Sequence, residues 1–321
     1  MKLLKSKGKI ISCAILLLAL AVFCLTACET QCTVTYVFNN GEENTSLTVS
    51  AFSKAPAVEE PTKEGFVFDG WYLDEKCTVE YNASSFLTES ITLYAGWSVD
   101  VESVVNSVSQ ELMSANLKVK SKFYNTSGYG NVLDSSSQGS GVIIKKMGNL
   151  YYLLTNCHVT APPKGIALTY YFVYDMLGNE YKAELVYTDP SYDLSLMCFQ
   201  GKSDTKLAVA KLGSGIPTEN ELVVALGQPE GQINTLTVGH VIDYETVEVD
   251  AGEDESRVTF PVLWSTAPTK NGSSGGGLFN SKLELVGVNF ATGYSDKKAK
   301  YTFAIPIEEV KEFLNDCDFE V

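Results

Sequence analysis

Two histidines are present in the 321 residues, so the candidates for an imidazole base are few. His158 closes the apolar stretch Leu153-Leu154-Thr155-Asn156-Cys157-His158-Val159 and precedes Pro162-Pro163, where a side chain can face a cleft. His240 lies within the strand-like run Thr237-Val238-Gly239-His240-Val241-Ile242 and is expected to be structural. A carboxylate, Asp193, stands at the mouth of the apolar strand Leu194-Ser195-Leu196-Met197-Cys198, whereas Asp189, before Pro190, fits a turn cap better. Asn271-Gly272-Ser273-Ser274-Gly275-Gly276-Gly277-Leu278 is a glycine-rich turn between two apolar strands. These residue types suit acyl transfer: a hydroxyl gives its proton to an imidazole, and a carboxylate holds that imidazole in one tautomer. A tight glycine turn can aim backbone amides at the oxygen that becomes negative in the tetrahedral intermediate. Each element alone also has a plain structural reading, as a core histidine, a turn cap or a flexible loop.

Positioning these groups falls to a strand-rich scaffold. From Ser140 to Phe303 the pattern is short apolar strands separated by turn residues, which predicts a β-barrel or sandwich. Leu117 to Tyr124 alternates like an edge strand, and Asn125 to Gly139, rich in Ser, Gly and Asn, predicts an exposed loop. Val101, Val104, Val105, Val108 and Leu112 recur at helical spacing and predict a connector helix within Asp100 to Ala115. A terminal helix is expected after Ala304-Ile305-Pro306, with Pro306 at its first position and Ile307, Val310, Phe313 and Leu314 on its buried face.

Residues 33 to 98 form a separate β-rich unit. Val34-Thr35-Tyr36-Val37-Phe38 ends at the turn signal Asn39-Asn40-Gly41, and aromatic segments follow at Gly65 to Tyr72 and Ile91 to Trp97. Before this unit, Met1 to Lys9 carries four lysines and Ile10 to Ala27 is almost uninterruptedly apolar, which marks an export signal. A formal charge of −15 argues against a nucleic-acid partner, because phosphate binding needs clustered Lys and Arg. Beyond the signal and Cys28, the cysteines left are Cys32, Cys77, Cys157, Cys198 and Cys317, an odd number without C-x-x-C spacing. With two histidines, a metal site is not expected.

Three resemblances organise these observations. Leu25-Thr26-Ala27-Cys28 resembles a bacterial lipobox, which implies cleavage after residue 27, a lipid on Cys28 and the outer face of the bacterial membrane. The G-F-x-F-x-G-W-Y and T-L-Y-A-x-W segments resemble the Listeria–Bacteroides (internalin B-type) repeat, implying a small β-grasp-like spacer or binder; its aromatics are expected to pack its core. The chemistry-bearing elements, in the order His, Asp, Ser, resemble the trypsin-like serine proteases of the high-temperature-requirement branch. Six segments carry this likeness: Gly139 to Ile144, T-N-x-H-V, Y-D-L-S-L, Ala225 to Gly231, S-S-G-G-G-L-F-N and Phe303 to Pro306.

That last resemblance implies an all-β double six-stranded barrel with a C-terminal helix. It assigns Ser274 as nucleophile, His158 as general base and acid, Asp193 as its orienting partner, and the amides of Gly272 and Ser274 as oxyanion hole. Pro268, Asn289, Phe290 and Ala291 would line the substrate pocket, where the absence of a charge at the base implies a small or medium apolar preference. Ser273 and Gly277 depart from the family's usual Asn or Asp and Pro, so a looser turn is expected. The expected organisation is 1–27 signal, 28–99 repeat module, 100–130 connector and first strand, and 131–321 protease domain, with no PDZ domain following. The expected function is a serine endopeptidase acting on extracellular proteins without cofactor. It touches the membrane only through its lipid and is open to oligomerisation. A latent protease-fold adhesin and an esterase are the alternatives.

Overall fold

The computed structural model describes residues 30–127, 130–229, 234–247, 258–294 and 300–321. Cys28 and the signal segment, together with Glu230 and Gly231 of the quoted motifs, lie outside them. The chain divides into two compact units, the first ending at Val99 and the second spanning Asp100–Val321.

The first unit is a four-stranded sheet of β1 (Gln31–Val37), β2 (Thr45–Ser50), β3 (Phe66–Tyr72) and β4 (Ile91–Val99), in the order β2-β1-β4-β3. The central pair β1 and β4 is parallel, which is a β-grasp-like order, although its described residues contain no helix. Alternation along β1 buries Cys32, Val34 and Tyr36 against Leu87 and Leu93. Trp71 meets Tyr36, Phe38 and Phe68 edge-on at 4.9, 5.8 and 5.3 Å, so these aromatics pack the module's core as expected.

In the second unit, β5 (Asn116–Ser127), β6 (Gly130–Met147), β7 (Leu150–Thr155), β8 (Leu168–Tyr174), β9 (Glu180–Asp189) and β10 (Leu194–Gln200) close a barrel in the order β10-β7-β6-β5-β8-β9. Leu117, Val119, Ile143, Leu153, Val173 and Met197 fill it. The second barrel is built from β12 (Leu222–Gly227), β13 (Thr235–Glu245), β14 (Val262–Ser265), β15 (Gly277–Asn280), β16 (Glu284–Tyr294) and β17 (Lys300–Pro306). Pairing of β16 with β17 closes the ring, and β11 (Lys211–Leu212) joins β16 from outside, in parallel.

Three expectations are corrected here. β5 is not an edge strand, because it is hydrogen-bonded to β6 on one side and β8 on the other. Residues 130–139 are not a loop but the first half of β6, paired with β5 from Ser127↔Gly130 onward. Polar Ser and Asn side chains suit a hairpin that extends into solvent, so composition misrepresents its backbone. The boundary expected between 130 and 131 therefore falls inside this hairpin. Pro306 caps the terminal helix Ile307–Asp316 in extended conformation instead of opening it. The connector helix Val101–Glu111 forms as expected, capped by Asp100, whose side chain accepts from the Ser103 amide at 3.0 Å.

Asp175 fixes the β8–β9 turn. Burial pushes its carboxyl up, but bonds from the Asn179 side chain and amide, the Tyr181 hydroxyl and the Leu177 amide, all 2.9 to 3.0 Å, together outweigh burial and hold it below 3.8. A depressed carboxyl contributes stability above its unfolded pKa and loses that contribution as pH falls through the folded value. Asp175→Ala is thus expected to lower unfolding free energy at pH 7 by about 3 kcal/mol, with the difference shrinking below pH 4. Urea melts at both pH values would show it, and equal stabilities at pH 7 would refute the role.

Candidate active site

β7 delivers His158 onto the single helical turn Cys157–Thr160. β10 starts at Leu194, and Asp193 just before it takes φ 52°, a left-handed conformation uncommon outside glycine and held here by its surroundings. The enforcing contacts are visible: the Asp193 carbonyl accepts from the Cys157 amide and the Asn156 side chain, both at 3.0 Å. This brings the Asp193 carboxylate onto His158 at two points. Its Oδ1 accepts from the His158 backbone amide at 3.0 Å, and its Oδ2 lies 2.8 Å from His158 Nδ1. With the carboxylate accepting from Nδ1–H, the lone pair stays on Nε2, the tautomer a general base needs. Asp193 is 2% exposed and the His158 side chain 33%, so the carboxylate is buried behind an imidazole that reaches solvent.

The glycine turn is held from both barrels. Ser274 O accepts from the Ser140 amide at 2.7 Å, Gly275 N donates to Asn289 O at 2.8 Å, and Asn289 N donates back to Gly276 O at 2.9 Å. Gly272 and Gly275 sit at φ 96° and 86°, the left-handed region that glycine reaches without cost. A methyl on Gly275 would stand 2.1 Å from Ser140 O and 2.4 Å from Thr155 Oγ1, three residues ahead of His158. The end of β7 thus packs directly on the turn that bears Ser274. Gly275→Ala is expected to abolish labelling by a serine-directed phosphonate and to cost about 3 kcal/mol of stability. A fully labelled Gly275→Ala protein with an unchanged melt would refute this close approach.

Ser274 Oγ donates to the carbonyl of Phe290 at 3.3 Å. A hydroxyl has one proton, so proton transfer to His158 requires its release from that carbonyl. The amides of Gly272 and Ser274 donate to no acceptor among the described residues, the condition an oxyanion site requires.

Beside Ser274 lies a cavity of about 90 Å³ lined by Thr269, Lys270, Asn271 and the strand residues Asn289 to Thr292. Asn289, Phe290 and Ala291 are among its lining residues. Pro268 is not; it faces an adjoining cavity of about 160 Å³ with Gly227, Thr237 and Ser273. Lys270 borders both cavities. A larger cavity of about 330 Å³ is lined by Asp175, Tyr181 and Lys202 in the first barrel and by none of the candidate site residues. His240 lies on β13, exchanging hydrogen bonds with Thr266. Asp189 caps its turn by accepting from the Ser191 amide at 2.8 Å, as expected. Ser140 and Thr155 were present in the quoted motifs, but nothing local indicated their contacts with the turn.

Two barrels with a His–Asp pair and a glycine turn between them define a trypsin-like peptidase domain. Residues 139–288 match the trypsin-like peptidase domain model, and residues 33–96 match the Listeria-Bacteroides repeat domain. The chain is 32% identical over 184 residues to the serine protease Do-like HtrA of Bacillus subtilis (strain 168), covering 56% of this chain and 39% of that protein. It is 35% identical over 184 residues to a probable periplasmic serine endoprotease DegP-like of Pseudomonas fluorescens, covering 57% and 35%. The chain thus spans under half the length of these relatives. A structure of an inactive-form mutant of Rv3671c from M. tuberculosis H37Rv shares the fold, with TM-score 0.52 and 22% identity over 69% of this chain and 95% of that chain. The chain carries a trypsin-like peptidase domain homologous to HtrA and DegP proteases, preceded by a Listeria–Bacteroides repeat.

Proposed function

We propose that this protein is a serine endopeptidase that hydrolyses peptide bonds of extracellular proteins through an acyl-enzyme on Ser274. The observation that carries the proposal is the two-point contact of Asp193 with His158, at 2.8 and 3.0 Å, which leaves Nε2 as the basic nitrogen. Ser274 Oγ bonds to the substrate carbonyl carbon while its proton passes to Nε2. The carbonyl electron pair moves onto oxygen, where the Gly272 and Ser274 amides stabilise it. Collapse expels the amine, which takes the proton from the imidazolium, and water enters by the reverse steps to release the acid and restore the hydroxyl. No step needs a metal or an organic cofactor.

A fluorophosphonate probe tests this directly: the purified protein should be labelled on Ser274 and should cleave casein. Failure of labelling with candidate peptides present would favour a binding protein with a peptidase fold. Turnover of activated esters with no peptide cleaved would favour an esterase.

We further propose that Cys28 carries a lipid that holds the protein on the outer face of a bacterial membrane. Support comes from the lysines of Met1 to Lys9, the apolar run to Ala27 and the small residues before the cysteine. Cys28→Ser is expected to shift the protein from the membrane fraction to the soluble exported fraction. Retention of the serine variant on membranes would exclude a lipid at this position. The repeat module would then serve as spacer or targeting element.

A further inference from the structure

Among the described residues, the hydrogen bonds that hold the turn bearing Ser274 from the opposite barrel come from Ser140, which lies on β6 and is fully buried. Its amide donates to Ser274 O at 2.7 Å. Its hydroxyl donates to Gly272 O, also at 2.7 Å. Since that single proton is committed to a carbonyl, the hydroxyl oxygen is left to accept, and it accepts from the Gln228 amide at 2.8 Å. Its own carbonyl accepts from Thr155 Oγ1 at 2.7 Å, which links it to the strand leading into His158.

These contacts select two particular carbonyls. The amides of Gly272 and Ser274 make no hydrogen bond among the described residues, and Ser140 holds the carbonyl of each. A glycine at φ 96° flanked by other small residues has several conformations within reach, and most turn its amide elsewhere. Ser273, the intervening residue, holds the turn only locally, its amide donating to Lys270 O at 2.9 Å. The clasp on Gly272 and Ser274 therefore comes from Ser140. Gln228 is itself anchored, because its Oε1 accepts from the Asn234 amide at 3.2 Å, and Asn234 in turn accepts from Asn116 Nδ2 at 2.8 Å.

We propose that Ser140 is a positioning residue for acyl transfer, locking the Gly272–Ser274 turn so that its two amides face the developing oxyanion. It touches no substrate atom and acts through Gly272 and Ser274. The inference rests on the serine endopeptidase function proposed above.

Ser140→Ala removes the hydroxyl and keeps the amide. On a chromogenic peptide its kcat is expected to fall on the order of 10²-fold with KM within about twofold, as for loss of an oxyanion contact. Affinity for a peptide aldehyde, whose adduct carries the oxyanion, should fall by a similar factor, while affinity for the corresponding product peptide stays unchanged. The low-field proton resonance of the His158–Asp193 pair should persist. Ser140→Cys keeps the volume with a much weaker donor and should show the same split, which supplies the result if the alanine variant does not fold. An active wild type with unchanged kcat and aldehyde affinity in these variants would overturn the assignment to Ser140 alone. Equal losses in aldehyde and product affinity would overturn it too, since a general structural defect weakens both. A wild type inert towards phosphonate and peptides would overturn the endopeptidase function and, with it, this role.

Discussion

Ser274→Ala is expected to lower kcat for peptide hydrolysis about 10⁶-fold, the loss that removal of a triad nucleophile produces in serine proteases, while leaving KM and thermal stability nearly unchanged. The two halves of this expectation have separate causes. The hydroxyl oxygen is the only atom of residue 274 that can form the acyl ester, so its removal stops covalent catalysis. What remains is acceleration by the oxyanion amides and substrate positioning, about 10³-fold over water. Among the described residues the hydroxyl makes one hydrogen bond, 3.3 Å long and to a carbonyl, so its contribution to stability is below about 1 kcal/mol. The backbone contacts that shape the turn, Ser140 N to Ser274 O and Gly275 N to Asn289 O, do not involve it. Kinetics beside a calorimetric scan separates catalytic from structural loss. Peptide hydrolysis by Ser274→Ala at more than about one part in a thousand of wild type would place the nucleophile elsewhere.

Asp193→Asn should reduce kcat about 10⁴-fold. That magnitude is the effect of the same change in the trypsin triad. The geometry does explain why the change must be severe here. One carboxylate oxygen accepts from the His158 backbone amide and the other faces Nδ1. An asparagine has one oxygen, and the backbone amide, always a donor, must take it. The NH₂ group then faces Nδ1, which becomes an acceptor, and the ring proton moves to Nε2. The base is thereby lost although every heavy atom can keep its place. Phosphonate labelling should slow in parallel with peptide hydrolysis. A variant within tenfold of wild type would mean that Asp193 does not set the tautomer.

The positions of His158, Asp193 and Ser274 were legible because their signals are local. A histidine at the end of an apolar strand, an aspartate before the next, and a serine among glycines each lie within a few residues of the features that mark them. The repeat module was legible for the same reason, since alternation along β1 and a turn at Asn39-Asn40-Gly41 declare its strands within one window. Asp189, expected as a turn cap, does cap its turn by accepting from the Ser191 amide.

What escaped the sequence depends on partners far along the chain. Whether β5 is an edge or an interior strand is decided by β8, more than forty residues on, and residues 130–139 are a strand only because β5 pairs with them. Pro268 lines the cavity next to the one beside Ser274, a placement set by the barrel that carries its segment. Ser140 lies 132 residues from the carbonyl its hydroxyl grips, a pairing no local pattern encodes. Residue types, their order and the local strand and turn signals were therefore determined by sequence alone, since they follow from short-range sterics and periodicity. Which strands close the barrels and which buried donors clasp the glycine turn were decided only by the tertiary structure, because a hydrogen bond depends on ångström-scale distances that chain separation does not specify.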